Sequence, residues 1–395
     1  VGSHVQAITA RPLTSVLVTP LHTPYITRKE NMVKALIAHK VGGEFQVGEW
    51  EKPVPKGNEI LIKNKVVALN PVDWKQIKYN YAVPQWPFVV GADTAGVVEA
   101  VGPDVKNLKP GDRVFSYAKI GVPNYGTYAE YSLLVGNLSA KIPPNLSFEE
   151  AATIGLGTLT SAVALYHEFK LSRPREHQSF FRPEYFLVRM RTSCLQYILY
   201  IIYITPLTQH PYPPSQIWGG SSSTGNYAIQ LAKLSGYTVI TTASPHQHAY
   251  LQELGADVVI DRSDPEAVTK IREITRGRLR YAYDTVSSAT ADLAAQALDQ
   301  ERESHLAVIA GAPTGSYPKV KVHSVSTGVI YKEEGNSFGI SFYEELGELL
   351  TAGVLRPNRY EVLPNGLAGI PEGHARLAAG KVSGVKLVVR VEETP

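Results

Sequence analysis

A glycine- and serine-rich turn within IWGGSSSTGNYAIQLAKLSG (217–236) constrains the fold more than any other part of the sequence. A short apolar run precedes the turn, and a segment with helical periodicity follows it. Strand-like and helix-like segments then alternate along YTVITTAS (237–244), PHQHAYLQELG (245–255), ADVVID (256–261) and PEAVTKIREITRG (265–277). This alternation predicts βαβ units, and therefore a doubly wound parallel sheet with helices on both faces.

The region before the turn has the pattern of a β domain. Short β-branched runs, separated by glycine, proline and aspartate, occur at VKALIAHK (33–40), EILIKNKVVALNP (59–71), TAGVVEAVG (94–102) and GDRVFSY (111–117). Their spacing is typical of a small barrel or sandwich. A last strand-like run, GVKLVVRVEE (384–393), is predicted to return to this first domain.

The composition narrows the function classes. The net charge is +3 and the basic residues are scattered, so the sequence does not predict a nucleic-acid surface. One cysteine excludes intramolecular disulfides and a cysteine-based zinc site, and it is typical of a reducing compartment such as the cytoplasm. Residues 1–31 have no apolar stretch of signal-peptide length, so we interpret them as a disordered extension, with Met32 as the natural start.

The glycine-rich turn predicts a phosphate-binding loop. Backbone N–H groups of such a turn approach a diphosphate closely, with the positive end of the following helix behind them. Against the dinucleotide fingerprint G-x-G-x-x-G, Gly220 and Gly225 fit and Ser222 occupies the middle position. A serine-hydrolase elbow is excluded, because Thr224 stands where that motif has its last glycine. The predicted cofactor contacts are Gly220, Ser221, Ser222, Ser223, Thr224 and Gly225.

The end of the second strand predicts the choice of cofactor. NAD enzymes place a carboxylate there, on the ribose 2′-hydroxyl. This strand instead ends in Ser244, Pro245, His246 and Gln247, and Arg262 follows the third strand. A site without a carboxylate, with a cation nearby, favours the 2′-phosphate of NADP(H). The Ser-Pro-His run also fits a simple cap of the next helix, and both interpretations can hold together.

Seven motifs together resemble the medium-chain dehydrogenase/reductase superfamily. They are ALNPVDWK (68–75), GADTAGVVEAVG (91–102), KPGDRV (109–114), AATIGLGTLTSA (151–162), GGSSSTG (219–225), SPHQ (244–247) and VSGVKLVV (382–389). Within the superfamily they look like the zinc-independent quinone reductases and the fungal enoyl reductases that act in trans with polyketide synthases. The resemblance implies a GroES-like β-barrel catalytic domain (32–154 and 328–395), a Rossmann domain (155–327) and an active site in the cleft between them.

The same resemblance predicts whether this protein binds the catalytic zinc found in some members of the superfamily. Zinc alcohol dehydrogenases of the superfamily carry a Gly-His-Glu triplet whose histidine binds the catalytic zinc. The corresponding triplet here is Gly91-Ala92-Asp93, and a cysteine ligand ahead of it is absent as well. Without those ligands we expect no metal and no Lewis-acid alcohol oxidation. The expected reaction is direct hydride transfer from NADPH to a carbon that is already electrophilic, in an α,β-unsaturated carbonyl or a quinone.

The resemblance also implies functional residues. Related enoyl-thioester reductases have an Asn-Tyr pair, thought to supply the proton donor, shortly after an Asn-Pro-x-Asp motif, and counting onward from residues 70–73 makes Tyr81 the candidate acid. Lys75 and Thr153 are the other catalytic candidates. As plain sequence these three also fit a cleft-rim tyrosine, a surface lysine and a helix N-terminus. Further cofactor contacts are expected at Val72, Asp73, Trp74, Lys75, Leu387 and Val388, and substrate contacts at Ile154, Gly155, Leu156, Gly157, Thr158 and Ser161.

One stretch does not fit this scheme. CLQYILYIIYITPLTQ (194–209) is strongly apolar and holds the only cysteine, and Pro213-Pro214 leave little more than Ile217 and Trp218 for the strand before the turn. Deleting residues 188–216 would join EYFL (184–187) to that strand and make it continuous. Its ends can be encoded as splice sites, so we hypothesise a translated intron. A genuine surface insertion is the alternative, and the apolar run is too short for a membrane helix.

The sequence therefore predicts an NADP(H)-dependent reductase of activated C=C bonds. Its substrate would be a small molecule or an acyl thioester, with a polyketide synthase as partner, no nucleic acid or membrane, and a monomer or homodimer in solution. A quinone reductase is the alternative within enzymes. A cofactor-binding protein without turnover is the alternative outside them, and disruption of the first strand favours that class.

Overall fold

The computed structural model describes residues 2, 31–174 and 215–395. The block 188–216 therefore lies outside the described residues except for its last two positions, as does the extension 1–31 except for Gly2 and Asn31. Within the described part, the strands are β1 (Met32–Ala38), β2 (Phe45–Glu51), β3 (Glu59–Ala68), β4 (Phe88–Val89), β5 (Asp93–Val101), β6 (Arg113–Tyr117), β7 (Tyr131–Val135), β8 (Ser139–Lys141), β9 (Ser215–Trp218), β10 (Val239–Ala243), β11 (Val258–Asp261), β12 (Tyr281–Asp284), β13 (Ser304–Val308), β14 (Val320–Ser324), β15 (Tyr360–Leu363) and β16 (Lys386–Arg390).

The helices of the described residues follow the strands in the predicted alternation. They are α1 (Pro71–Tyr79), α2 (Phe148–Ala152), α3 (Gly155–Ala162), α4 (Ser223–Leu234), α5 (His248–Glu253), α6 (Ala267–Thr275), α7 (Ser288–Ala297), α8 (Glu333–Thr351) and α9 (Ile370–Ala378). Side-chain caps define several starts: Ser147 and Glu150 form a capping box on α2, and Ser222 caps α4. Helix α3 continues without a break into a π-helical turn over Val163–Glu168.

Two sheets form the barrel part. One has the order β2-β1-β4, and the other has the order β15-β16-β3-β5-β6-β8 with β7 paired to β3. The C-terminal strand β16 lies antiparallel to β3 and parallel to β15, so the tail of the chain completes the sheet that the first strands begin. The third sheet is parallel throughout, with the order β11-β10-β9-β12-β13-β14. The predicted mixed α/β class, with a barrel and a doubly wound sheet, is confirmed.

Strand β9 lies at the centre of the parallel sheet, and it is longer than the sequence analysis predicts. The prediction of a two-residue strand is wrong, because Ser215 and Gln216 pair in register with β10 on one side and β12 on the other. Sheet hydrogen bonding to two neighbours extends the strand back to the residue after Pro214. The last two residues of the block 188–216 are therefore part of the central sheet.

One apolar cluster joins the barrel to the parallel sheet. It contains Val66 and Val388 from the barrel strands and Ile217, Tyr227 and Leu231 from β9 and α4, all nearly inaccessible to solvent. Burial of this shared cluster holds the two parts together and sets the distance between the barrel and the turn after β9.

Candidate cofactor-binding and active site

The turn after β9 has the geometry of a phosphate-binding loop. Gly219 has φ +81°, and a Cβ there would lie 2.4 Å from a methyl group of Val286. A Cβ on Gly225 would lie 2.4 Å from the carbonyl oxygen of Gly219, so only glycine lets the start of α4 pack on the turn. The backbone is therefore compact enough for a phosphate to approach the helix N-terminus closely.

Ser222 holds this loop in shape. Its hydroxyl oxygen accepts a hydrogen bond from the N–H of Gly225 (2.9 Å) and lies 2.9 Å from the hydroxyl of Thr285. Thr285 donates in turn to the carbonyl of Trp218 (3.0 Å), so the proton of Ser222 is directed to Thr285. The N–H groups of Ser223 and Thr224, in the first turn of α4, have no intrahelical acceptor and are available to an anion.

The residues predicted to select the cofactor meet at one edge of the parallel sheet. The N–H of Arg262 donates to the carbonyl of Ala243, the last residue of β10, at 3.0 Å, so Arg262 lies beside Ser244. Ser244 is half-buried, and His246 and Arg262 are exposed. Of the other two predicted residues, Pro245 is exposed, and Gln247 is buried with its side-chain amide against Gly384.

Gly384 closes the other side of the loop. It precedes β16, has φ +70°, and donates its N–H to the carbonyl of Ser221 at 3.3 Å. A Cβ at this position would lie 2.3 Å from the side-chain nitrogen of Gln247. The barrel tail therefore lies directly over the phosphate-binding loop. The predicted cofactor contacts Leu387 and Val388 follow in β16, where both are buried, and the carbonyl of Leu387 accepts from Leu69 N–H.

The predicted cofactor segment 72–75 lies on the first turns of α1. Val72, Trp74 and Lys75 are partly exposed, but Asp73 is fully buried. Its carboxylate accepts from the backbone N–H of Asn70 (2.8 Å) and from the hydroxyl of Tyr128 (2.5 Å). Burial raises the pKa of Asp73 to about 7, against the opposing effect of these two hydrogen bonds. The side chain of Asp73 thus lies in the barrel interior, whereas Val72 and Lys75 are partly exposed.

Asp93 lies where zinc-binding relatives have the glutamate of their triplet, and it forms a second buried centre. One carboxylate oxygen accepts from the N–H of Leu156 (2.6 Å), and the other accepts from the side chains of Asn70 (2.9 Å) and Lys386 (3.0 Å). Asp93 and Lys386 are 0% and 4% exposed. The carboxylate therefore joins β5, α1, α3 and β16, and its counter-charge is an ammonium group.

The predicted substrate segment lies between the barrel and α4. Ile154 is buried, and a Cβ on Gly155 would lie 2.6 Å from the carboxylate of Asp93. Gly157 lies close to Ser223, because a Cβ on Gly157 would lie 2.9 Å from the Ser223 hydroxyl. Ser161 donates to the carbonyl of Thr224 at 2.8 Å. This segment therefore joins the phosphate-binding loop to the barrel.

Two threonines of that segment differ in their hydrogen bonding. Thr153 is fully buried, and its hydroxyl donates to the carbonyl of Glu150 at 2.7 Å. Thr158 is also buried, but its hydroxyl has no hydrogen-bond partner among the described residues. A buried hydroxyl without a partner is unfavourable, so the protein satisfies Thr153 and leaves Thr158 unsatisfied.

Tyr81, the candidate acid, lies two residues beyond the end of α1. Its side chain is 58% exposed, and Asn80 before it takes a left-handed conformation with φ 53°. A Cβ on Gly121 would lie 2.5 Å from the carbonyl of Ala82, so the turn carrying Tyr81 rests against the loop after β6. Lys75 lies within α1, six residues before Tyr81.

A cavity of about 1070 Å³ lies away from this region, between α8 and the barrel. Leu108, Lys141, Tyr343 and Glu344 are among its lining residues, and none of the predicted site residues is. Within residues 31–174 and 215–395, no group of three or more histidine, cysteine, aspartate or glutamate side chains is arranged to hold a metal ion. None of the helices in that part is long and apolar enough to cross a membrane.

Comparisons with known proteins agree with this geometry. The alcohol dehydrogenase GroES-like domain family matches residues 56–144, and the zinc-binding dehydrogenase family matches residues 224–350. The trans-enoyl reductase ACTTS2 of Alternaria alternata is 33% identical over 367 residues, which cover 89% of this chain and 96% of that protein. The chain belongs to the medium-chain dehydrogenase/reductase family. It is an oxidoreductase of that family, and the resemblance seen in its motifs is confirmed.

One further relative and one solved structure extend the comparison. The trans-enoyl reductase TOXD of Cochliobolus carbonum is 40% identical over 239 residues, covering 60% of this chain and 69% of that protein. The fold is shared with a mycobacterial protein solved in complex with NADPH, with a TM-score of 0.69 and 22% identity over 91% of this chain and 99% of that one. The family assignment thus covers both the barrel and the parallel sheet.

Some residues of this site have no signal in the sequence motifs. Asn358 and Thr285 touch the phosphate-binding loop from distant segments and lie in none of the seven motifs. Lys386 lies within the motif VSGVKLVV, but its pairing with Asp93, almost 300 residues away, has no signal in the sequence. The roles predicted for Tyr81, Lys75, Thr153 and the other site residues stay predictions.

Proposed function

We propose that the protein is an NADPH-dependent, zinc-independent enoyl reductase that reduces an activated C=C bond of an acyl thioester. The observation that carries the proposal is the glycine turn before α4, closed by Gly384, in a chain that aligns over nearly the whole length of a trans-enoyl reductase. A Cβ at Gly219, Gly225 or Gly384 would clash with neighbouring protein atoms, so the glycines keep the turn compact. A compact turn before a helix supports a diphosphate bound at the first N–H groups of α4.

The residues around the cradle support a dinucleotide with a 2′-phosphate. The first-turn N–H groups of α4 and the hydroxyl of Ser223 would hold the diphosphate. At the end of β10, Ser244, His246 and Arg262 offer donors and a cation, which favours NADPH over NADH. The neighbouring carboxylate of Asp261 accepts hydrogen bonds from Ser263. The cofactor would supply the hydride.

The residues at the zinc position of relatives support a reaction without metal. Ala92 has no ligating atom, and both oxygens of the neighbouring Asp93 carboxylate are hydrogen-bonded or ion-paired inside the protein. Tyr81 would donate the proton to the α-carbon, because its hydroxyl is unhindered at the rim of the barrel. A polyketide synthase carrying the acyl chain would be the partner.

The test of this function is NADPH consumption by the full chain with enoyl thioesters and with quinones, each repeated with NADH. We expect turnover with enoyl thioesters and a higher kcat/KM for NADPH than for NADH. Turnover confined to quinones contradicts the proposed substrate class, and dinucleotide binding without any turnover contradicts the proposed enzyme.

The role of Tyr81 is tested with a matched neighbour. Tyr81→Phe is expected to lower kcat about 100-fold, the usual contribution of a general acid. Tyr79→Phe is the control, because Tyr79 is 60% exposed on the same turn and has no proposed role. Equal kcat values for the two variants would remove Tyr81 from the mechanism.

The trans arrangement is tested by the form of the substrate. If a partner synthase presents the acyl chain, kcat/KM is expected to be higher for an enoyl chain on an acyl carrier domain than for the same chain on coenzyme A. Equal values for the two forms contradict a carrier-dependent role.

A further inference from the structure

Asn358 is a buried polar residue between α8 and β15 that connects the two parts of the molecule. It is 3% exposed, and its backbone N–H donates to the hydroxyls of Thr153 (3.2 Å) and Tyr227 (3.1 Å). Its side-chain nitrogen lies 2.7 Å from the hydroxyl of Ser223, and its side-chain oxygen accepts from Asn226 at 3.1 Å. Hydrogen bonds at the backbone and at both ends of the amide hold this side chain in one orientation.

The orientation of the amide follows from its surroundings. The side-chain nitrogen of Asn358 lies 3.4 Å from the carbonyl oxygen of Ser223, which can only accept a hydrogen bond. The nitrogen therefore faces Ser223, and it donates to the Ser223 hydroxyl oxygen. The proton of that hydroxyl is directed elsewhere.

The two adjacent serines of the loop consequently differ. Ser222 uses its hydroxyl within the protein, as a cap for Gly225 and a donor to Thr285. The hydroxyl of Ser223 receives the bond from Asn358, and no acceptor for its own proton lies within hydrogen-bond distance among the described residues. Ser223 is half-buried in the first turn of α4, where the helix dipole favours an anion.

We propose that Asn358 is a positioning residue for cofactor binding: its amide orients the Ser223 hydroxyl so that this hydroxyl donates to the diphosphate of the dinucleotide. The inference rests on the proposed binding of a dinucleotide and does not depend on which substrate is reduced. Asn358 itself lies behind Ser223 and acts only through it.

The first measurement is the dissociation constant of NADPH for the full chain, from fluorescence titration. Asn358→Ala is expected to raise Kd about 10-fold, which corresponds to one hydrogen bond to a charged group. Asn358→Asp keeps the shape but accepts the Ser223 proton and adds a charge, so we expect an increase of about 100-fold.

A control variant at Gln230 tests whether Asn358 positions the Ser223 hydroxyl or only stabilises the fold. Gln230 anchors the same segment to α4 two turns later, through the backbone of Arg356 at 2.8 and 3.1 Å, and it does not touch the loop. Gln230→Ala is expected to lower the melting temperature and to leave Kd unchanged. If Gln230→Ala and Asn358→Ala raise Kd equally, the positioning role is overturned.

Two further readouts follow from action through Ser223. In a Ser223→Ala background, Asn358→Ala should raise Kd no further, because the hydroxyl that it orients is gone. Asn358→Ala should also weaken ADP, which contains the diphosphate, more than adenosine 2′-monophosphate, which does not. Additive effects with Ser223→Ala, or equal weakening of both nucleotides, contradict the proposal.

The outcomes distinguish this inference from the proposed enzyme. A wild-type chain that binds NADPH but reduces no enoyl thioester refutes the enzyme and leaves the binding test intact. Wild-type turnover with unchanged Kd in both Asn358 variants refutes the inference alone. A wild-type chain that binds no dinucleotide refutes both.

Discussion

The barrel and the parallel sheet both bury polar side chains at their centres, but they satisfy them differently. In the barrel, the two carboxylate oxygens of Asp93 have three partners, including the ammonium of Lys386. In β9, the hydroxyl of Ser215 and both side-chain polar atoms of Gln216 have no partner among the described residues, although both residues are buried. Buried polar atoms are normally paired, so Asp93 is the centre of a paired network, whereas the start of β9 is a misfit. The barrel also has single unpaired atoms, at Asp73 and His374, so the contrast holds between Asp93 and β9 rather than between the two whole sheets.

The unpaired atoms of β9 coincide with the end of the block 188–216. If residues 188–216 were absent, Leu187 would occupy the position of Gln216 and Phe186 that of Ser215. Apolar side chains at those two positions suit a central strand of a parallel sheet. The orphaned atoms of β9 are therefore consistent with the translated-intron hypothesis, which concerns residues mostly outside the described ones and stays a hypothesis.

The largest expected effect comes from breaking the barrel network. Lys386→Met leaves the Asp93 carboxylate buried without its counter-charge, and we expect it to lower the free energy of unfolding by about 3–5 kcal/mol. The measurement is urea denaturation followed by circular dichroism.

Exposed and double variants control that experiment. Lys65 pairs with Glu392 at 3.0 Å on the surface, so Lys65→Met should lower the free energy of unfolding by at most about 1 kcal/mol. Adding Asp93→Asn to Lys386→Met should restore part of the lost stability. If Lys386→Met is no worse than Lys65→Met, the Asp93–Lys386 pair does not hold the barrel together.

The next largest effect tests the misfit in β9. A chain lacking residues 188–216 is expected to be more stable by about 3 kcal/mol, because an apolar strand replaces three orphaned polar atoms. Thermal and urea unfolding of the two chains, together with NADPH titration, measure the change. Loss of stability on deletion would show that the block is an integral part of the fold.

Single substitutions within neighbouring strands refine this comparison. Gln216→Leu removes two orphaned atoms, and we expect a gain in the free energy of unfolding of about 1–2 kcal/mol. Thr241→Val in β10 is the matched opposite, because the Thr241 hydroxyl donates to the carbonyl of Ile217 at 2.6 Å, and a loss of about 1 kcal/mol is expected. If both variants changed the free energy of unfolding in the same direction, hydrogen bonding would not explain the difference between these two buried polar groups.

The smallest effect concerns pH and the other buried carboxylate of the barrel. Burial raises the pKa of Asp73 from 3.8 to about 7, so the folded state binds more protons than the unfolded state between those values. The contribution of Asp73 to stability therefore falls as pH rises through this window, and the full penalty is present above about pH 7. Asp73→Asn removes the titration and keeps an oxygen for Asn70 N–H and the Tyr128 hydroxyl.

The measurement is the stability difference between Asp73→Asn and the wild type as a function of pH. Relative to the wild type, we expect the variant to gain about 1–2 kcal/mol between about pH 6 and about pH 8. A difference that does not change across this range would show that Asp73 titrates near its ordinary pKa.

The periodic and glycine-rich parts of the sequence predicted most of the fold. Alternating strands and helices after residue 217 appear as β10 to β13 with their helices, and Gly219 and Gly225 occupy the turn that their spacing indicated. These features are local, because dihedral freedom and apolar periodicity act over a few residues. The length of β9 was predicted wrongly for the complementary reason. Pairing to β10 and β12 extended the strand into the polar residues Ser215 and Gln216, against their local preference.

The sequence by itself determined the fold class, the family and the position of the phosphate-binding turn, because each is encoded in contiguous residues. The tertiary structure alone decided which hydroxyl of that turn is free to donate. Ser222 and Ser223 are identical neighbours in GGSSSTG, and they differ because Gly225 and Thr285 bind one hydroxyl and Asn358 binds the other. Hydrogen bonds between residues more than 60 positions apart depend on how the parallel sheet and the segment before β15 pack against α4, which no local pattern records.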